Sequence, residues 1–172
     1  MKLILTVTML TSLLMAEGFT LSSNTLGGQL SLNEVFNGFG CSGKNVSPEL
    51  AWKGAPKGTK SFALTVFDPD APTGSGWWHW VVFNIDKKTK AFKQGVNLSE
   101  TSAVQSMTDY GTTGFGGACP PVGDKDHQYI FTIYALDIET IDLKPSANPA
   151  LVGYYINKHA LSKASLISYY GR

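Results

Sequence analysis

The sequence predicts a mainly β fold, two packed sheets in a sandwich with a helix near the C-terminus. Three observations carry that class. The 18 glycines and 8 prolines of this 172-residue chain divide it into short segments rather than long helices. Three of those segments are β-branched, aromatic and almost continuously apolar, as strands buried on both faces are. A single stretch combines a helix-start signal with sustained helical spacing.

Taken in order, Phe19-Thr20-Leu21 is a weak strand candidate, and Ser31 followed by Glu34 resembles a capping box that opens a short helix over 31–36. Ser61 to Phe67 is the first strong strand and His79 to Ile85 the second. Ala103-Val104-Gln105 is another weak candidate. Gln128 to Leu136 alternates and then becomes continuously apolar, which makes the third strong strand. Asn148 is a good N-cap and Pro149 suits the first helical position. Leu151, Val152, Tyr155, Ile156 and His159 then repeat at helical spacing, and the helix is expected to run to Lys163. Ser165 to Tyr170 is a last weak strand.

The first sixteen residues read as a secretory signal: Met1-Lys2 is a positive start, Leu3 to Met15 an apolar run, and Ala16 a small residue at the cleavage point. That run is too short to span a membrane. A single domain over 17–172 is expected to follow, long enough to bury a core without a metal. The formal charge is +1, and removing residues 1–16 takes away one lysine and leaves the remainder neutral. No run of basic residues stands out, so nothing in the sequence points to a nucleic-acid surface. Cys41 and Cys119 are the only cysteines, and in an exported chain an even pair reads as one disulfide. Asn45-Val46-Ser47 and Asn97-Leu98-Ser99 match the glycosylation sequon.

Four segments carry the chemistry. Asp68-Pro69-Asp70-Ala71-Pro72 follows a strand directly, and its prolines stop that strand and stiffen the turn. An aspartate there can face a cleft or bond its own turn amides. Trp77-Trp78-His79-Trp80 opens the next strand, and antiparallel pairing would bring His79 near Asp68 or Asp70. Gly116-Gly117-Ala118-Cys119-Pro120-Pro121 lets backbone approach a ligand closely, yet it is neither a phosphate loop nor a nucleophile elbow. His127 and Tyr129 are two apart on a strand and so share a face. No His-x-His or His-x-x-x-His spacing occurs, so neither metal nor cofactor is expected.

These motifs resemble the phosphatidylethanolamine-binding proteins, also called Raf kinase inhibitor proteins, and among them the bacterial YbhB/YbcL-type branch. The resemblance rests on Asp68 to Pro72, Trp77 with His79, Gly117 with Pro120-Pro121, and His127-x-Tyr129, and it extends from about Phe19 to Tyr170. It implies a Greek-key β-sandwich with a small pocket for phosphate, a phospholipid headgroup or another anion. It implies that Asp68, Asp70, Trp77, His79, Gly117, Pro121, His127 and Tyr129 line that pocket. The implied protein is a periplasmic, non-catalytic binding module that regulates a protein partner, with a homodimer as the implied assembly. The alternative is a small hydrolase or transferase using His79 with Asp68 or Asp70 as base. Three departures stand out from eukaryotic members. Cys119 replaces a usual glycine, Gln128 replaces a common arginine, and the Thr73 to Gly76 loop is short. They speak against kinase inhibition, as does export.

Overall fold

The computed structural model describes residues 18–172, so the expected signal segment lies outside the described residues. The strands, in chain order, are β1 (Thr20–Ser22), β2 (Asn37–Gly38), β3 (Cys41–Ser42), β4 (Leu50–Lys53), β5 (Ser61–Asp68), β6 (Trp77–Asp86), β7 (Ala91–Phe92), β8 (Val104–Gln105) and β9 (His127–Leu136). Helix α1 (Pro149–His159) and strand β10 (Ala160–Tyr170) complete the chain. A five-stranded sheet has the order β10-β9-β5-β6-β8, and a three-stranded sheet β1-β4-β7 packs against it.

The apolar runs of β5, β6 and β9 are buried on both faces, as their composition predicts. Phe62, Leu64, Val66, Trp80, Val82, Phe131 and Ile133 face inward and meet Leu50, Trp52 and Phe92 of the small sheet. Ala63, Val81, Phe83 and Leu136 face the other way, onto Val152 and Ile156 of α1. Each fully buried aliphatic or aromatic side chain contributes about 1.5–3 kcal/mol, and here they fill two layers from a single sheet. Among the described residues no helix is long and apolar enough to cross a membrane.

Two β-bulges in β6 decide which side chains reach which face. Val66 pairs with Trp80 and Phe67 with Trp78, which leaves His79 as the extra residue. Consecutive residues His79 and Trp80 therefore both sit on the inner side, while Trp78 packs toward α1. The second bulge falls between Leu64–Val82 and Phe62–Ile85 and contains Asn84 at φ 58°. Asn84 extends the sheet with its side chain, donating to Ile141 O and accepting from Ile141 N.

Three expectations need correction. The 31–36 segment forms no helix. Ser31 N and Oγ do donate to Glu34 Oε2, at 3.0 and 2.8 Å. The turn then stops, because Val35 bridges to Ala118 and a glycine-rich hairpin begins at Asn37. Helix α1 ends at His159, not Lys163, and the residues beyond it belong to β10, which pairs along β9 from Leu136 to His127. The last strand is thus much longer than Ser165 to Tyr170. The start of α1 is as expected, with Asn148 Oδ1 accepting from Leu151 N at 2.8 Å and Pro149 in the first turn.

Candidate functional site

The inner faces of β9, β5 and β6 run apolar through the core and turn polar at one end of the sandwich. There Tyr129 and His127 extend the stripe of Ile133 and Phe131, Asp68 extends that of Leu64 and Val66, and His79 stands beside Trp80. β5 lies between β9 and β6, so Asp68 is flanked by both histidines. These side chains line a cavity of about 170 Å³ with Trp77, Tyr110, Phe39, Ala71, Pro72, Thr73 and the Cys119-Pro120-Pro121 segment.

Asp68 organises one half of the site. Its Oδ1 accepts from the amides of Asp70 at 2.8 Å and Ala71 at 3.1 Å, which folds the proline turn. Its Oδ2 accepts from His127 Nδ1 at 2.7 Å, with both side chains buried. The carboxylate therefore caps its own turn and also fixes an imidazole. His127 Nε2 lies 3.4 Å from Asp124 Oδ2.

His79 is organised differently from the sequence expectation. It pairs with neither Asp68 nor Asp70. Its Nδ1 donates to Gly116 O at 2.8 Å, and Gly116 N donates to His79 O at 2.8 Å. The bulge turns the ring toward the glycine loop, and Asp68 is already occupied by His127 from β9. A carbonyl can only accept, so the proton of the neutral ring sits on Nδ1 and Nε2 is bare. Burial pushes the His79 pKa down to about 4, against the opposing pull of the Gly116 hydrogen bond. Tyr129 is 1% exposed, and its hydroxyl has no hydrogen-bond partner. Desolvation raises the pKa of Tyr129, and Asp68 adds to that rise, so the hydroxyl keeps its proton. Desolvation raises Tyr110 as well, and its hydroxyl donates to Gly117 O at 2.6 Å.

Of the eight residues expected at the pocket, Asp68, Trp77, His79, Pro121, His127 and Tyr129 line the cavity, whereas Asp70 and Gly117 stand behind it. Asp70 accepts from Lys125 Nζ at 2.6 Å and from Gln128 N at 2.9 Å, tying the proline turn to β9. The Lys125 hydrogen bond, then that of Gln128 N, lowers the Asp70 pKa. Gly117 is a close-approach glycine: a Cβ there would lie 2.1 Å from Glu34 O. Gly117 N donates to Asn45 Oδ1 at 2.7 Å, and Asn45 Nδ2 donates to Phe115 O at 3.2 Å. The Asn45 sequon residue is thus engaged as a brace for the glycine loop. Asn45→Ala leaves Gly117 N without its partner and should cost about 2 kcal/mol, read as a lower urea midpoint at unchanged slope.

Phe39 and Tyr110 are cavity residues that the sequence reading missed. Phe39 and Gly40 both have positive φ, 52° and 79°, between strands β2 and β3. This is the two-residue hairpin turn that demands left-handed backbone at both positions. Phe39 there is 68% exposed and stacks on Tyr110 with centroids 5.7 Å apart. The Cys41–Cys119 disulfide joins this hairpin to the proline wall, with Cα atoms 6.0 Å apart. Arg172 spans the same junction, donating to Pro120 O at 2.6 Å and Gly40 O at 3.0 Å. No local pattern signals Phe39. A single Phe-Gly pair says little until its hairpin is known.

The profile described as phosphatidylethanolamine-binding protein matches residues 21–171, nearly all of the described chain. The chain belongs to the phosphatidylethanolamine-binding protein family. Among its relatives is YbcL of Escherichia coli, 48% identical over 163 residues, covering 90% of this chain and 88% of YbcL. YbhB of the same organism is 49% identical over 152 residues, covering 85% and 96%. The crystal structure of E. coli YbcL, described as a member of the mammalian family, superposes with a TM-score of 0.87 over 90% of this chain and 98% of that one. A family homologue from Chlamydia trachomatis, 27% identical, gives 0.76 over the same shares. Family membership agrees with the β-sandwich and its late helix.

Proposed function

We infer that the protein is a non-catalytic binding module whose pocket takes a small oxyanion group: phosphate, a phospholipid headgroup or a similar anionic ligand. One observation carries this reading. The Tyr129 hydroxyl is buried and unpartnered in the cavity wall, and a buried donor without an acceptor is costly unless a ligand supplies one. Aspartate, histidine and aromatic side chains around it suit a compact polar group with an apolar neighbour. Two of the lining side chains that could attack a substrate are committed, Cys119 to the disulfide and the Thr73 hydroxyl to Gly76 O. Binding is favoured over turnover on that ground. A Cys41–Cys119 bridge also suits an exported, oxidising location, in keeping with the N-terminal signal pattern.

Tyr129→Phe is the direct test. Affinity for inorganic phosphate should fall about tenfold, the loss of one hydrogen bond to a charged group. The denaturation midpoint should not fall, because the removed hydroxyl has no partner in the protein. Unchanged phosphate affinity in this variant would overturn the reading.

A further inference from the structure

The polar groups of the cavity are badly matched to a fully ionised anion. Among the described residues no lysine or arginine lines it. Its one permanent charge is negative, on Asp68, and both oxygens of that carboxylate are already used by His127, Asp70 N and Ala71 N. Tyr129 can donate one hydrogen bond, and Trp77 Nε1, also buried without a partner, a second. His79 cannot donate from the ring edge left free, since its proton is held on Nδ1 by Gly116 O. Toward a ligand, Nε2 is a lone pair. A bare oxyanion placed there would meet lone pair against lone pair, with a carboxylate behind it.

We propose, building on the pocket reading above, that the site binds its oxyanion together with one proton, shared between His79 Nε2 and a ligand oxygen, while Tyr129 donates to a second oxygen. The ligand class follows. A phosphomonoester or inorganic phosphate can carry that proton near neutrality. Sulfate and a phosphodiester cannot, because their last ionisation lies far below neutrality. The proton comes from solvent when the ligand arrives as a dianion, and from the ligand itself when it arrives as the monoanion. No bond to phosphorus forms or breaks.

The ionisable groups around His79 set the background for this proton. Asp68 faces it from β5, and Asp109 and Tyr110 from the loop after β8. Tyr129 faces it from β9 at a ring distance of 5.1 Å, and His127 shares the same cavity wall. Asp68 and Asp109 favour a proton on the ring, but burial outweighs them and keeps the empty site's ring neutral at pH 7. Both tyrosines stay neutral, held there chiefly by desolvation. An arriving anion therefore adds the missing attraction for a proton.

Calorimetry with methyl phosphate and with sulfate at pH 8, each in two buffers of different ionisation enthalpy, tests this. Methyl phosphate is a dianion at that pH, its second pKa being about 6. The expected result is uptake of about one proton per methyl phosphate bound. Sulfate should bind at least about tenfold more weakly, by one charge-assisted hydrogen bond. In His79→Gln, whose amide can donate to a bare oxygen, proton uptake should approach zero and the preference over sulfate should shrink. Wild-type binding of methyl phosphate without proton uptake, or sulfate binding equally well, would overturn the proton-sharing inference and leave the oxyanion pocket standing. No binding of methyl phosphate at millimolar concentration would overturn both. The wild-type measurements decide the matter even if the variant does not fold.

Discussion

Acidification from pH 6.5 to 4 should remove about 3 kcal/mol of folding stability through His79 alone. The folded pKa of this ring is about 4, against 6.5 for an unperturbed histidine. Between those values the unfolded chain holds a proton that the folded chain does not. Stability therefore falls as pH falls through the window and levels off below about 4, where the folded ring is also charged. The cause is burial of the imidazole, whose desolvation outweighs the opposing pull of Gly116, Asp68, Gly117 and Asp109. Against a typical total of about 5–15 kcal/mol this is a large share. His79→Asn keeps a donor near Gly116 O and has no titrating group. Urea midpoints across pH 4 to 7 should be flatter for the variant than for the wild type. Parallel profiles for the two proteins would show that His79 does not titrate as its burial demands.

Loss of the Cys41–Cys119 disulfide should have a still larger effect, about 4 kcal/mol in the chain-entropy account of a loop this long. The bridge spans a sequence separation of 78 residues and is the covalent tie between the Phe39 hairpin and the wall formed by Cys119, Pro120 and Pro121. The Cys41→Ser/Cys119→Ser double variant should show that loss in a denaturant titration. It should also bind phosphate more weakly, because two lining segments are then held together without a covalent link, by Arg172 and by the backbone pairing of Phe36 and Glu34 with Ala118. Full stability with unchanged phosphate affinity in the double variant would show that the bridge neither constrains the chain nor shapes the cavity.

The sequence made the centre of this fold legible because burial on both faces leaves an unmistakable apolar run. Residues of β5, β6 and β9 announce themselves in that way. The Asp68 turn was readable for a similar reason, since proline and aspartate chemistry is local. Other features depended on partners distant in sequence. His127 lies 59 residues from the Asp68 carboxylate it bonds, and nothing local chooses it over His79. The bulge at His79 breaks the two-residue rhythm of β6 without a glycine or proline to mark it. The end of α1 was missed because no glycine follows His159, and pairing of Ala160 with Leu136 ends the helix instead. Ser31 and Glu34 formed their expected hydrogen bonds, yet pairing with Ala118 replaced the helix those bonds usually begin. Asp70 and Gly117 show the same limit from the other side. The family resemblance implied them in the cavity wall, while an ion pair and a tight backbone approach hold them behind it.

Histidine ring NMR during a phosphate titration tests the central claim most directly. His79 and His127 share the cavity, whereas His159 lies away from it, at the end of α1, with its Nδ1 on Asp137. The ring signals of His79 and His127 should move together with one saturation curve while those of His159 stay fixed. Signals of all three that stay fixed at millimolar phosphate, or a His159 shift as large as the other two, would contradict an oxyanion pocket in this protein.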